Sequence, residues 1–447
     1  MTSPSRSPLL DGPILPTLLR LSAPNLLVIL SQAAVSTFET YFIGLLGTDA
    51  LAGVSLVLPL MMLVQMMSAG AMGGGISSAI ARALGGGRRE DARALAWHAL
   101  VVVLGLGLAF TACALAFGPA LYRAMGGREA ALDAALAYSN VVFGAGAVFI
   151  WLMNGFASML RGTGDMKTPA RVLGIGSVAV IFVSPLLIFG AGPLPGFGIQ
   201  GGAWALVGFY LVSSVILGRR LLRADSAVSL RPHALQATRF ADILKVGVPA
   251  CIHASLVNTA VAVATGFVGA YGTAAIAGYG IGARLELLQV PIVFGLGAAL
   301  VAMIGTNIGA GQLERARRIA FVGGGLAAAI CGGIGLVVAI APGLWAGIFS
   351  SDPQVLAHAG TYLRIAGPVY AFLGLGMALY FSFQGTGRMV WPLACVGTRN
   401  LIVYGGCSLA AASGLADLRA VFAITAGAIV VFGAMYAWGT WRYFARP

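Results

Sequence analysis

Apolar runs of about 20 residues alternate with short polar loops along the whole chain. Each run is long enough to cross roughly 30 Å of hydrocarbon as a helix, and a helix satisfies its own backbone polar groups in lipid. The pattern therefore predicts an all-α integral membrane protein with twelve spans. The predicted spans are residues 22–46, 51–83, 94–121, 132–160, 170–190, 200–221, 244–270, 274–307, 319–349, 356–384, 391–412 and 417–440.

Composition and charge agree with this class. Hydrophobic residues make up 59% of the chain, charged residues 9%, and the mean hydropathy is +0.92, whereas soluble domains carry roughly 25% charged residues. The net charge of +13 does not indicate nucleic acid, because the basic residues are spread over alternate loops. By the positive-inside rule both termini are predicted to be cytoplasmic. The short tail before the first span has no cleavable-signal pattern, so we expect the first helix to be retained.

The residue types that hold metals or disulfides show no cluster. Five cysteines lie inside apolar spans without CxxC spacing, and the four histidines are scattered at positions 98, 233, 253 and 358. We therefore expect no metal, no cofactor and no enzyme activity. A channel is disfavoured because the sequence shows no filter-like re-entrant segment.

The second half of the chain repeats the first. Residues 47–53 recur as 272–278, residues 84–93 as 308–317 and residues 162–169 as 385–392, in one order and with offsets of 225, 224 and 223. The predicted domains are 1–222, a linker at 223–239, and 240–447. Six spans in each half make the repeats parallel, as two pseudo-symmetric six-helix bundles around a central cleft.

Glu39 is the leading candidate for chemistry. It lies deep in the first predicted span, whereas its repeat position is Ala264, so the shared fold does not need a carboxylate there. Gln32 and Ser36 stand seven and three residues before it, on the same helix face. A carboxylate in lipid costs several kcal/mol, so this stripe should face the bundle or a cavity, where an apolar surrounding prepares Glu39 to take and release protons. The alternative is a structural acid satisfied by neighbouring hydroxyls.

Several stretches together resemble the multidrug and toxic compound extrusion (MATE) family. They are ETYFIGLLGTDALAG, ARALGGGRREDA, LRGTGDMKTP, GIQGGAWALVGFY, NIGAGQLERARR and FQGTGRMVWP, in family order through nearly the whole chain. The resemblance implies two six-helix bundles that alternate between inward-open and outward-open forms. It also implies exchange of organic cations and amphipathic compounds for protons or sodium, in a bacterial inner (plasma) membrane.

The family's acidic positions are only partly present. Its first-helix acid, usually aspartate, corresponds to Glu39. The acid of one branch's fifth helix is replaced by Ser184, and the two acids of another branch by Val257 and about Leu373. The coupling ion is therefore open: sodium would need oxygens from Glu39, Gln32, Ser36 and Thr40, whereas a proton needs only the carboxylate, which we favour.

The remaining candidates for the substrate cleft carry open alternatives. Glu286 and Arg284 project to different faces of one helix, so Glu286 either pairs with another helix or attracts a substrate cation. Asn258 is more typical of helix contacts, and His253 of a satisfied buried histidine than of a proton relay. Arg399 with Asn400 is more typical of an anchor to carbonyl oxygens. Tyr41 and Tyr279, with several methionines, pack or line an apolar pocket.

The sequence thus favours a multidrug antiporter with small-molecule and lipid partners, no nucleic acid and a monomeric state. The alternative is a flippase for lipid-linked oligosaccharides or peptidoglycan precursors from the same superfamily. A flippase would need basic residues along its cleft and would favour fourteen helices, whereas twelve are predicted and only Arg284 and Arg399 lie mid-span.

Overall fold

The structure is a computed structural model that describes residues 8–192, 194–223, 226–414 and 417–445. Almost all of the described chain is helical. One exception is a pair of two-residue strands, β1 (Gly190–Ala191) and β2 (Leu194–Pro195), which pair antiparallel between two helices.

The helices follow one another with short turns. In chain order they are α1 (Pro8–Asp11), α2 (Ile14–Gly44), α3 (Thr48–Gln65), a π-helical segment (Met66–Met72), α4 (Gly73–Gly85), α5 (Arg89–Ala124), α6 (Glu129–Gly144), α7 (Ala147–Gly162), α8 (Lys167–Phe189), α9 (Ile199–Leu222), α10 (Ala237–Gly269), α11 (Thr273–Gly309), α12 (Leu313–Ile340), α13 (Gly343–Ala346), α14 (Pro353–Ala366), a 3-10 turn (Gly367–Val369), α15 (Tyr370–Thr386), α16 (Val390–Ala412) and α17 (Leu418–Phe444).

The prediction of twelve membrane spans in an all-α fold is confirmed. In the described ranges, ten helical stretches are long and apolar enough to cross a membrane, and α6 with α7, bent by 47°, forms an eleventh. The one predicted span outside this count, residues 391–412, corresponds to α16, which has 23 residues and carries Arg399 and Asn400. Large apolar side chains are highly exposed on the helix surfaces, among them Val390 at 83% and Ile340 at 76%. Such surfaces are typical of a multi-pass membrane protein.

The chain forms two compact units whose limits differ from the predicted domains. The N-terminal unit runs from Ala23 to Gly247, and the C-terminal unit begins at Val248 but also takes in the helix turns before Ala23. The predicted limits, 1–222 and 240–447, follow the sequence repeat instead. Contacts therefore group the start of each repeat with the other repeat.

Repeated glycines explain how corresponding helices approach each other inside both units. A Cβ atom on Gly53 of α3 would lie 2.8 Å from the backbone nitrogen of Ala135 on α6. A Cβ atom on Gly278, one repeat later, would lie 2.8 Å from the backbone nitrogen of Ala359 on α14. Only a glycine fits so close to a neighbouring backbone, which gives this pair of repeated glycines a structural role.

Candidate functional site

Glu39 is buried among three helices of the N-terminal unit. It lies on α2, is 9% exposed, and its Oε1 accepts a hydrogen bond from the hydroxyl of Tyr138 on α6. On α9, Tyr210 lies near enough to interact electrostatically with the carboxylate. Gly202 on the same helix lies next to the acid: a Cβ atom there would be in ordinary van der Waals contact with Oε1, at 3.4 Å. The acid therefore sits between two buried tyrosines and is turned away from lipid.

The other members of the predicted stripe do not share the contacts of Glu39. Ser36 is exposed and Gln32 is half-buried. The hydroxyl of Thr40 donates to the carbonyl oxygen of Ser36 at 2.8 Å, within the same helix. Among the hydrogen bonds of the described residues, Glu39 has one partner, Tyr138. Four oxygen ligands around one cation are thus not assembled here, although the stripe does share one helix.

Glu39 also lacks a cationic partner. The ion pairs of the described ranges lie at exposed helix starts or in the C-terminal unit, and none includes Glu39. A buried carboxylate without a counter-charge is costly. Taking up a proton removes that cost and leaves no charge behind.

Glu286 has a different surrounding in the C-terminal unit. It is buried on α11, accepts a hydrogen bond from the hydroxyl of Tyr362 on α14, and lies 3.7 Å from Nη2 of Arg399 on α16. In place of the carbonyl oxygens expected for Arg399, the structure thus provides a carboxylate and the ring of Phe432, 5.6 Å from the guanidinium carbon. Protonation of Glu286 would leave Arg399 buried without its counter-charge.

The two other aromatic and basic candidates of α11 point in different directions. Tyr279 is buried and meets the ring of Tyr362 edge-on, with centroids 5.1 Å apart. Arg284 is exposed, and its guanidinium lies 5.5 Å from the ring centre of Phe349. Tyr279 therefore belongs to the Glu286 cluster, and Arg284 does not pair with Glu286.

The remaining candidates are scattered. Asn258 on α10 is exposed and donates to the carbonyl oxygen of Ala254 at 3.0 Å. Tyr41 is 61% exposed, and its ring meets that of Phe42 edge-on at 5.7 Å. Ser184 on α8 is buried, and its hydroxyl has no hydrogen-bond partner in the described part of the chain. In the described part of the chain, Tyr41 and Ser184 have no hydrogen bond or ion pair with Glu39 or Glu286.

The two tyrosines that hold the carboxylates were not among the residues selected from the sequence. Tyr138 and Tyr362 are 224 residues apart, the same offset as the repeated loops. The signal was therefore present: a polar residue retained in both copies. The carboxylates themselves come from different helices, since Glu39 lies in the first helix of its repeat and Glu286 in the second helix of its own.

Metal-binding groups give no further candidate. Across the described ranges, no three side chains of histidine, cysteine, aspartate or glutamate are close enough together to hold a metal ion. Among the described residues, the structure thus offers a buried carboxylate outside any ion pair in one unit and a buried ion pair in the other.

Comparison with known proteins agrees with the repeat and with the fold. A family model described as MatE matches residues 24–186 and again 249–407. The two matches cover most of both repeats. Each begins at a proline, Pro24 and Pro249.

Named relatives and a solved structure extend over most of the chain. The FAD transporter of Shewanella oneidensis is 29% identical over 83% of this chain and 82% of its own length. The probable multidrug resistance protein NorM of Thermotoga maritima is 27% identical over 84% of this chain and 81% of its own length. A solved multidrug resistance MATE family transporter in an outward-facing conformation is 25% identical, has a TM-score of 0.86, and is matched over 100% of this chain and 99% of its own.

Proposed function

The chain belongs to the MATE family of membrane transporters, and from this and the site geometry we propose that it is a secondary antiporter. It would export organic cations or amphipathic compounds in exchange for protons, across the inner (plasma) membrane with both termini in the cytoplasm. The names of its relatives support the substrate class, since several are multidrug resistance proteins.

The observation that carries the coupling role is the unpaired burial of Glu39. Its carboxylate is buried, holds one tyrosine hydroxyl, and is not part of an ion pair in the described chain. A proton neutralises Glu39 without leaving another buried charge unpaired. Protonation of Glu286, in contrast, would leave the buried charge of Arg399 without its counter-charge, which is destabilising. Glu39 is therefore the better proton carrier of the two acids.

The same geometry favours a proton over sodium. Hard cations such as calcium and magnesium are held by six or more oxygens, and sodium likewise needs several. Tyr138 is the one hydrogen-bonding oxygen at Glu39 in the described ranges, and Thr40 has its hydroxyl engaged with Ser36. We infer that protonation of Glu39 and binding of the exported compound weaken each other, and by linkage each weakens the other by the same factor.

The test is efflux of ethidium from proteoliposomes under a proton gradient or a sodium gradient imposed separately. We expect the proton gradient alone to drive efflux by the wild type, and Glu39→Gln to abolish it while the variant still inserts and elutes as a folded protein. Glu90→Gln, which alters an exposed acid at the start of α5, is the matched control and should retain efflux. Efflux by Glu39→Gln at the wild-type rate would contradict the coupling role of Glu39. Efflux by the wild type under the sodium gradient alone would identify sodium, and not the proton, as the coupling ion.

A second cargo is favoured by one specific observation. The relative from Shewanella oneidensis, similar over 83% of this chain, is named an FAD transporter. We therefore propose flavin adenine dinucleotide (FAD) as the alternative exported compound. Its export would use the same fold and the same coupling acid. Counterflow of FAD in the proteoliposomes, with ethidium as competitor, distinguishes the two cargos, because only a transported compound exchanges with its own labelled form.

A further inference from the structure

Two segments that precede the repeats are packed in an unexpected way. We define lead-in A as residues 8–22, before the first repeat, and lead-in B as residues 226–247, before the second. The carbonyl oxygen of Leu9 in lead-in A accepts a hydrogen bond from Nδ2 of Asn307 at 2.9 Å, and that of Gly12 accepts one from Arg315. Lead-in A is thus docked on the second repeat.

Lead-in B is docked on the first repeat. The backbone N–H of Gln236 donates to Nε2 of His98 at 2.9 Å, and Nδ1 of His98 donates to the carbonyl oxygen of Ala94 at 2.7 Å. Arg239 pairs with Asp91 at 3.2 Å. Both ring nitrogens of the buried His98 therefore form hydrogen bonds, one of them to the incoming segment.

Lead-in B also enters the hydrophobic core of the N-terminal unit. Val228 and Ile243 are fully or almost fully buried within that core. A Cβ atom on Gly75 of α4 would lie 2.8 Å from the carbonyl oxygen of Ile243 and 2.9 Å from the nitrogen of Gly247. Backbone meets backbone at this point, which is more typical of a permanent contact than of a loop resting on a surface.

The two docking sites are related by the repeat although their chemistry differs. Gly12 and Gln236 are 224 residues apart, and so are Asp91 and Arg315. At lead-in A, the guanidinium of Arg315 donates a hydrogen bond to the carbonyl oxygen of Gly12. At lead-in B, the guanidinium of Arg239 forms an ion pair with the carboxylate of Asp91. The same exchange of segments has thus been built twice from different residues.

Each lead-in is joined to its own repeat by one helix, α2 or α10. These helices pass from one unit to the other at Ala23 and at Val248, and the next residue in each is a proline, Pro24 or Pro249. A proline has no N–H to bond the carbonyl four residues earlier, which makes a helix easier to bend at that turn. The proline turn of each helix therefore coincides with the position along the chain at which one unit ends and the other begins.

We propose that lead-in A and lead-in B stay docked on the opposite repeats through the transport cycle. The bodies that move are then the two contact-defined units, 8–22 with 248–445 and 23–247, rather than the two sequence repeats. Helices α2 and α10 are the two links between them. This proposal rests on the proposed antiport function in one respect: it assumes that the protein alternates between conformations during transport.

Cross-linking tests which bodies move. In a chain whose native cysteines are replaced (Cys113, Cys251, Cys331, Cys395 and Cys407), the pairs Leu9→Cys with Asn307→Cys and Gln236→Cys with His98→Cys are joined by a short bis-methanethiosulfonate reagent. We expect cross-linked protein to keep the ethidium efflux of the same protein after reduction. Loss of efflux that a reductant restores would overturn the proposal. Single-cysteine variants treated with the reagent control for modification alone.

Amide hydrogen exchange reads the docking without a substrate. Residues 8–13 and 226–236 should exchange as slowly at acidic as at alkaline pH, after correction for intrinsic rates. Arg315→Ala should speed exchange in residues 8–13, whereas Arg318→Ala, which removes an exposed pair with Glu314 on the same helix, should not. Exchange that rises to the rate of a free peptide at either pH would overturn the proposal. A wild-type protein without ethidium efflux would instead count against the antiport function, and the exchange data would still decide the docking.

Discussion

Replacing Glu286 by glutamine should destabilise the protein far more than replacing Glu39 by glutamine. Both acids are buried and both accept a tyrosine hydrogen bond. Only Glu286 has a cationic partner, so only its replacement leaves a buried charge, that of Arg399, without a counter-charge. The comparison therefore isolates the ion pair from burial and from hydrogen bonding.

The magnitude follows from the separation of the charges. Coulomb's law with an effective dielectric constant of about 20 gives about 4.5 kcal/mol for the 3.7 Å between Nη2 of Arg399 and Oε2 of Glu286. Breaking a buried pair by removing one partner typically costs about 3–5 kcal/mol. Glu39→Gln keeps an acceptor for Tyr138 and leaves no buried charge without a counter-charge, so its cost should not exceed that of one hydrogen bond, about 1 kcal/mol.

The measurement is the free energy of unfolding in mixed micelles, followed by tryptophan fluorescence as the fraction of denaturing detergent is raised. We expect Glu286→Gln to lower it by several kcal/mol and Glu39→Gln by much less. The double variant Glu286→Leu with Arg399→Met should recover most of the loss, because apolar residues of similar size can replace a buried pair at little cost. Equal losses for Glu286→Gln and Glu39→Gln, or no recovery in the double variant, would refute the reasoning.

Three further predictions concern contacts outside the ion pair. Tyr138→Phe should fold but slow proton-driven efflux, since it removes a charge-assisted hydrogen bond worth about 1.5–3 kcal/mol; efflux at the wild-type rate in proteoliposomes would contradict this. His98→Ala should lower the free energy of unfolding by about 1 kcal/mol, because it removes the acceptor of the Gln236 N–H, and should speed exchange of that amide. Gly53→Ala and Gly278→Ala should each cost about 1–3 kcal/mol by overpacking, while Gly266→Ala, with open space around it, should not; equal stability of the three variants would contradict the close-approach argument.

The sequence was sufficient for the architecture because hydropathy and repetition are properties of the chain itself. A run of 20 apolar residues has to be a helix in lipid, whatever it packs against, and the repeat appears in the spacing of its loops. The same reasoning placed Glu39 in the interior, because a carboxylate facing lipid is too costly. Spacing along one helix shows which residues share a face, and it predicted correctly that Arg284 and Glu286 do not.

The partners of the acids could not be found in this way, because spacing along a helix does not say which other helix it faces. Tyr138 lies 99 residues from Glu39 and Arg399 lies 113 residues from Glu286. The lead-ins were missed for a different reason. The repeat suggests that each half folds on itself, whereas contacts at Asn307 and His98 depend on how the ends of the halves are exchanged.

The two carboxylates have different partners although the two halves of the chain are repeats. This difference shows which contacts belong to the shared fold and which belong to one half alone. The tyrosine is retained in both copies, at 138 and 362, so the hydrogen bond it donates is available wherever a carboxylate can reach it. In one copy the first helix supplies that acid, and in the other the second helix does, accompanied by arginine from α16. One unit thus holds a charge that a proton can cancel and the other a charge that is already cancelled. Under the proposed mechanism one acid per chain, Glu39, exchanges a proton, so exchange of two protons for each exported compound would require a group other than these two carboxylates.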